Sequence, residues 1–239
     1  MRGGKAELYE DLKRQILTLE RRPDEDLEEG ELGTAYGISR TPVRDVLRQL
    51  AGEGYLRIRE NRGARVNSMN FATMRDFFSV APLVYDAIAR LAVENHRPAQ
   101  MEALRACQLC FRKAVEDRDH VQMVIKNTLF HSIVGEMAAS VYLSPSYSKL
   151  LIDHARIGHT FFRPSTPEME QDLLASCDQH DAMIEALEQQ DVGRMVALTD
   201  GHWGLCRSNM ELFIAPRDRV PARAAGLGSL APLDETVGD

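Results

Sequence analysis

Apolar residues recur at helical spacing along most of this chain, and only one stretch alternates apolar with polar positions in the manner of strands. Leu8, Leu12, Ile16 and Leu19 fall three or four apart within Glu7 to Leu19, which predicts a first helix with Glu10, Asp11, Lys13 and Arg14 on a solvated face. Leu27 to Tyr36 reads as a short second helix with Leu32 and Ala35 inward, closed by Gly37 in the left-handed conformation that glycine adopts cheaply. A third helix starts at Ser39, whose side chain suits the N-cap, with Pro42 in the first turn where its missing N–H costs nothing. Its two sides differ: Val43, Val46, Leu47 and Leu50 line one, while Arg40, Arg44 and Arg48 recur every fourth residue on the other beside Thr41. Tyr55-Leu56-Arg57-Ile58-Arg59 then alternates as a half-exposed strand should. Glu60-Asn61-Arg62-Gly63 supplies a turn, and Ala64-Arg65-Val66 returns as a second strand.

Beyond the polar joint Asn67 to Asn70 the period is helical up to about Phe213. Six or seven helices are expected: Phe71 or Ala72 to Asn95, with an interruption at Pro82; Pro98 to Asp117; about Asp119 to Ser140; Tyr147 to about Phe162; Pro167 to Gln190; and Val192 to Phe213. From Ala215 onward Pro, Gly, Ala and charge dominate without periodicity, a composition that predicts disorder. The fold expectation is therefore a mainly α protein with a winged helix-turn-helix and small β-hairpin wing at residues 1–66, a linker at 67–71, an all-α bundle at 72–214 and a tail at 215–239.

Charge distribution sharpens the first segment. The chain as a whole carries a formal charge of −7, yet Ser39 to Val66 holds seven arginines against three acids, Asp45, Glu53 and Glu60. A basic island in an acidic protein marks a local phosphate-binding surface. Helix, glycine turn and a second helix with a basic front half form the helix-turn-helix arrangement, whose second helix enters the major groove of duplex DNA. No run of eighteen apolar residues and no apolar stretch behind Met1-Arg2-Gly3-Gly4-Lys5 supports a membrane span or secretory signal, so a cytoplasmic protein is expected. The four cysteines do not form a disulfide framework. Cys107-Gln108-Leu109-Cys110 has no second pair for a zinc ribbon and no βαβ context for redox chemistry, so free thiols, buried or half-buried, are expected.

The run Leu27 to Val66, with "GISRTPVRDVLRQLAGEGYL" and "NRGARV", resembles the winged-helix domain of GntR-type transcription regulators. Position by position, the resemblance implies DNA contacts from Arg40, Thr41, Arg44 and Arg48 of the helix and from Arg62 and Gly63 of the wing. Two positions depart from the pattern: Gly33 stands where alanine is usual, and Arg22-Pro23-Asp24-Glu25 replaces a Pro-Gly turn.

A second constellation lies in the helical region. Asn127 and His131 are one turn apart on one side of a helix. Asp191 caps a hairpin between the last two helices; His180 precedes it by eleven residues and His202 follows it by eleven. Eleven residues rise about 16 Å in a helix, so an antiparallel pair sets both imidazoles at the same height. Three histidines then converge inside the bundle, and imidazole suits zinc, nickel, copper and iron. The competing account is ordinary: a histidine on an apolar helix face is more often a hydrogen-bonded core residue than a ligand.

Residues 71 to 213 resemble the all-helical effector domain of the FadR-like branch, the FCD domain, whose metal-binding members share an Asp-x-x-Phe-His pattern and two later histidines. Here the corresponding residues are Asn127-Thr128-Leu129-Phe130-His131, His180 and His202, with asparagine in place of aspartate. The resemblance implies a divalent metal, zinc or nickel foremost, held by Asn127, His131, His180 and His202, and a small carboxylate that completes its shell. The Arg and Glu often found on the first effector helix appear as Ala81 and Tyr85. His154, Arg156 and His159 are the candidates to orient an effector.

Together these features predict a homodimeric, sequence-specific regulator, with repression the expected sign, that binds double-stranded operator DNA and is controlled by an organic acid at a metal-containing pocket. Two other classes stay open. Three histidines around a metal could serve a metal-dependent hydrolase, although His-Glu-x-x-His, G-x-S-x-G and Gly-rich phosphate loops are all absent from the sequence. A structural helical adaptor would carry the histidines as core residues and bind neither metal nor DNA.

Overall fold

Helical spacing becomes nine helices in the computed structural model, which describes residues 4–60 and 62–214, the last nine of these as helix backbone alone. The N-terminal part runs α1 (Lys5–Leu17), β1 (Asp26–Leu27), α2 (Glu29–Tyr36), α3 (Arg40–Glu53), β2 (Leu56–Arg59) and β3 (Gly63–Val66). The helical part follows as α4 (Phe71–Asn95), α5 (Pro98–Glu116), α6 (His120–Ala138), α7 (Ser144–Phe161), α8 (Pro167–Glu188) and α9 (Val192–Ile214). The predicted tail at 215–239 and Cys206 lie outside the residues whose side chains are described.

The three strands form an antiparallel sheet in the order β1-β3-β2. The hairpin β2–β3 was legible in the alternation of Leu56 to Val66, but β1 corrects the expectation that Leu27 opens a helix. Leu27 pairs with Ala64 and Asp26 with Arg65, so Leu27 is buried under the wing and α2 starts two residues later. Gly63 makes this pairing feasible. It sits at φ +79°, and a Cβ there would come 2.2 Å from the Leu27 carbonyl oxygen, inside any tolerable contact.

Three further local expectations change. Gly37 closes α2 at φ +65°, donating its N–H to the Gly33 carbonyl, as the glycine signal predicts. The inward residue of α2, however, is Gly33 and not Ala35: a Cβ on Gly33 would lie 2.8 Å from the Ile38 carbonyl oxygen, so the missing side chain is what lets the turn fold back this closely. Ser39 occupies the N-cap of α3 in extended conformation, but its hydroxyl makes no cap hydrogen bond. Helix α4 continues through Pro82, because Phe77, Ala81, Tyr85 and Ile88 on either side are buried together and offset the one N–H that proline removes.

Packing links the two parts. Helices α4, α7 and α5 pack on α6, and α9 closes the bundle against α4 and α8. One apolar cluster contains Leu8, Leu12, Val43 and Leu50 of the winged part together with Phe111, Ile152 and Phe162 of the bundle. The joint itself is polar. Asn67 donates its N–H to the Tyr55 carbonyl at 3.1 Å and its side-chain amide to the Gly54 carbonyl at 2.6 Å. Among the described residues no helix is long and apolar enough to cross a membrane.

Candidate functional site

Two places hold the chemistry singled out in the sequence. The first is the outer face of α3. Burial of Val43, Val46, Leu47 and Leu50 fixes the rotation of this helix, and the opposite side then presents Arg40, Thr41, Arg44 and Arg48 to solvent. These arginines border an open groove of about 940 Å³ whose far wall is Arg59 of β2 with Arg62 and Gly63 of the wing. Arg62 is exposed; Gly63 is half-buried and holds the wing against β1.

Acids balance much of this charge within the chain. Glu29 at the start of α2 accepts from Arg44 Nε at 2.9 Å and Nη2 at 2.7 Å, a two-pronged pair, and the arginine holds the Glu29 carboxyl below its ordinary range. Asp26 accepts from Arg65 and Arg59 together, and their hydrogen bonds hold its carboxyl well below the usual carboxylate range. Neither acid announced this in the sequence, since each lies on a different element from its arginine. The resulting face is a fork of positioned guanidinium groups, suited to phosphate oxygens and to the major-groove edge of guanine.

The second place is inside the bundle. His131 of α6, His180 of α8 and His202 of α9 are all buried, with ring centroids 5.2 Å apart for His131–His180, 5.2 Å for His131–His202 and 4.7 Å for His180–His202. Asn127 is buried one turn before His131. The structure brings in a fourth ring, His154 of α7, at 4.9 Å from that of His131. Ligand atoms of His131, His154 and His202 all lie within 4.8 Å of one another, so this trio could hold a metal ion.

His154 thus stands among the other histidines. Its two companions in the sequence expectation are elsewhere. Arg156 is fully buried but points the other way, donating to Asp153 at 2.9 Å and to the Asn67 carbonyl of the joint at 2.5 Å. His159 is half-buried near Arg163 and His120, both of which hold its pKa down in addition to its burial. The physical reason is the helical angle of about 100° per residue, which turns positions 156 and 159 away from the side of α7 that carries His154.

The walls leave the cluster little free space. Gly135, one turn after His131, leaves room for the Tyr147 ring, which a Cβ would approach to 2.5 Å, and the Tyr147 hydroxyl donates to the His131 carbonyl at 3.0 Å. Phe130 stacks on His180 at 3.9 Å. Tyr85, which the sequence comparison noted only as a departure, is a wall residue whose hydroxyl lies 2.8 Å from His154 Nδ1. What remains is a cavity of about 20 Å³, lined by Tyr85, Tyr147, His131, His154, His202 and Trp203 among others.

Burial sets the protonation. Desolvation, with the neighbouring imidazoles adding to it, holds His131 and His180 well below the ordinary imidazole range. Burial pushes His154 down to about 4 and His202 to about 3. All four rings are therefore neutral near pH 7, the form that ligates metals. His131 Nε2 and His180 Nε2 are buried without a hydrogen-bond partner, an arrangement that is costly unless a partner meets them. The donor set fits a divalent transition metal. The C-x-x-C pair does not: Cys107 is buried, its thiol pushed up to about 11 by burial, whereas Cys110 is exposed on the outer side of α5, contrary to the burial expected of it.

Comparison with known proteins agrees with this layout. Residues 5–66 match the family described as "Bacterial regulatory proteins, gntR family", and residues 83–205 match the FCD domain. The chain is similar to the HTH-type transcriptional repressor RspR of Escherichia coli K12, at 27% identity over 186 residues, which cover 77% of this chain and 79% of the relative. It is also similar to the HTH-type transcriptional repressor GlaR of the same strain, at 27% over 207 residues, covering 81% and 90%. Among solved structures, E. coli McbR/YncC superposes with a TM-score of 0.71 at 19% identity, over 89% of this chain and 97% of that one, which shows a shared fold.

Proposed function

The chain belongs to the gntR family of bacterial regulatory proteins, with an FCD domain behind its winged helix, and from that premise we propose that it represses transcription as a homodimer whose histidine pocket is its control point. The family is one of transcription regulators, which answers the hydrolase alternative. In the proposed mode two winged helices meet a two-fold-related operator, one per half-site. Arg40, Thr41, Arg44 and Arg48 enter the major groove, and Arg62 and Gly63 follow the adjacent backbone. The observation that carries this reading is the exposed arginine row on α3 opposite the wing. Repression is the sign carried by the two named E. coli relatives.

The pocket would hold a zinc or nickel ion through His131, His202 and either His154 or His180, with Asn127 as a further donor from the same turn of α6. Such an ion would supply a concentrated positive charge and Lewis acidity in a buried site. The walls leave little room beside the rings, and the neutral rings keep their lone pairs available. About 20 Å³ accommodates an occupant the size of one water molecule. An organic acid, the effector that the resemblance implies, would have to displace wall side chains such as Trp203 or Tyr85 to reach the rings. An effector acts only by binding two arrangements of the dimer unequally.

The test is selection of binding sites from random duplexes at moderate salt, with metal content measured on the same preparation. Enrichment of a palindrome and about one divalent ion per chain are the expected results. No enrichment would defeat the regulator reading, and metal-free protein that takes up neither zinc nor nickel would defeat the metal reading.

A further inference from the structure

The imidazoles of the pocket are held by side chains that no sequence motif singled out, and two of these, both glutamines, meet a ring Nδ1. Gln108 of α5 is buried at 2% exposure and spans two partners. Its amide nitrogen donates to the Cys177 carbonyl at 2.9 Å, and its amide oxygen lies 3.1 Å from His180 Nδ1. A carbonyl oxygen can only accept, so the Cys177 carbonyl fixes which end of the Gln108 amide is nitrogen. The oxygen must then face His180, and His180 Nδ1 must carry the proton. A neutral imidazole has one N–H, so His180 Nε2 is left with a lone pair. That is the nitrogen found buried without a partner.

A second glutamine stands at the neighbouring ligand candidate. Gln179 of α8 sets its amide oxygen 3.1 Å from His202 Nδ1, and with the amide in that orientation the ring donates from Nδ1 and keeps its lone pair on Nε2. Two histidines from adjacent antiparallel helices thus each have a glutamine amide oxygen at Nδ1. In a ligand shell this is the arrangement that orients imidazole and raises its basicity.

We propose that Gln108 and Gln179 are positioning residues for the metal site: each accepts the Nδ1 proton of its histidine and so presents the Nε2 lone pairs of His180 and His202 to one divalent ion. The inference rests on the metal reading above and takes His180 as one of the ligands in spite of its stacking against Phe130. It also separates these glutamines from a packing role, because a leucine of similar size at either position would fill the space and leave the tautomer free.

The experiment uses the full chain, stripped of metal and labelled with nitrogen-15 in histidine. Two-bond proton–nitrogen correlation spectra at neutral pH are expected to show Nδ1 protonated and Nε2 unprotonated in both His180 and His202. Zinc affinity is then measured by competition with a coloured chelator for the native chain and for Gln108→Leu and Gln179→Leu. Each substitution is expected to weaken zinc binding roughly 10- to 100-fold with the thermal unfolding midpoint of the metal-free chain changed far less. The conservative Gln179→Glu, which keeps the acceptor, is expected to retain the affinity. Nε2-protonated rings in the metal-free native chain, or leucine variants that bind zinc as the native chain does, would overturn the inference while leaving a metal site in place. Failure of the native chain to bind either zinc or nickel would remove the metal reading and the inference together. If Gln108→Leu does not fold, the native spectra and Gln179→Leu decide the matter.

Discussion

The arginine face of α3 and the histidine pocket of the bundle keep their polar groups under opposite conditions. On α3 every guanidinium is exposed, and the strongest intramolecular tie, Arg44 to Glu29, joins side chains 50% and 20% exposed. Pairs of this kind contribute about 0–1 kcal/mol, since water screens them, so a phosphate or a base edge can take over the arginine at little cost. In the pocket four imidazoles are nearly sealed from water and neutral, with two nitrogens left unpartnered. The arginine face is built from weak, solvated ties; the histidine pocket is built from groups that are already desolvated. Arg156 is the exception that links the two, a cation with the burial of the pocket but attached to the joint of the winged part.

The largest expected effect breaks the contrast from the pocket side. Each of the four histidines has its folded pKa depressed below 6.5, so the unfolded chain binds more protons and stability falls as pH falls. The loss begins near 6.5 and continues toward about 4 for His154 and about 3 for His202. One pH unit below 6.5, each ring costs about 1.4 kcal/mol, or about 5 kcal/mol for the four. Chemical denaturation of metal-free protein between pH 7 and pH 5.5 measures it, and a flat profile would mean the rings are hydrated and able to protonate.

Arg156→Ala comes next. Removing a buried cation leaves the half-buried Asp153 without its ion pair and the Asn67 carbonyl without its donor, and a loss of about 3–5 kcal/mol is expected. Denaturant titration gives the figure; a loss under about 1 kcal/mol would show that the joint is held by its apolar contacts instead.

Arg44→Ala acts on the other region. Operator affinity is expected to fall by about 1–3 kcal/mol at fixed salt, roughly five- to 150-fold, with metal content unchanged. Equal affinity in an anisotropy titration would remove Arg44 from the reading set. Glu29→Gln is the smallest effect and has the opposite sign. Releasing Arg44 from its carboxylate removes a competitor for DNA, so affinity is expected to rise by no more than about 1 kcal/mol, roughly fivefold. A fall would mean that Glu29 aims Arg44 at its base instead of competing for it.

Local chemistry made part of this readable in advance. The 3.6-residue period gave the six helices of the bundle, Gly37 marked the turn of the DNA-reading motif, and the burial of Val43, Val46 and Leu47 told which side of α3 faces outward. Equal spacing about Asp191 set His180 and His202 side by side, because a helical hairpin is a local ruler.

The remainder depended on contacts between distant segments. β1 is two residues long, too short to carry a period of its own, and exists only because β3 lies beside it. His154 joined the other histidines, and Arg156 left them for Asn67, according to how α7 is rotated between the bundle and the winged part; nothing within α7 states that rotation. Tyr85, Gln108 and Gln179 are ordinary polar residues in sequence and become specific only when a ring nitrogen stands beside them. What the chain determined by itself was its helices, its turns and the sides they present, since those follow from neighbours a turn away. Which faces met, and hence which nitrogens were sealed together and which acids restrain the arginines, was decided by tertiary packing, because the burial that sets those pairings is shared among helices far apart in the chain.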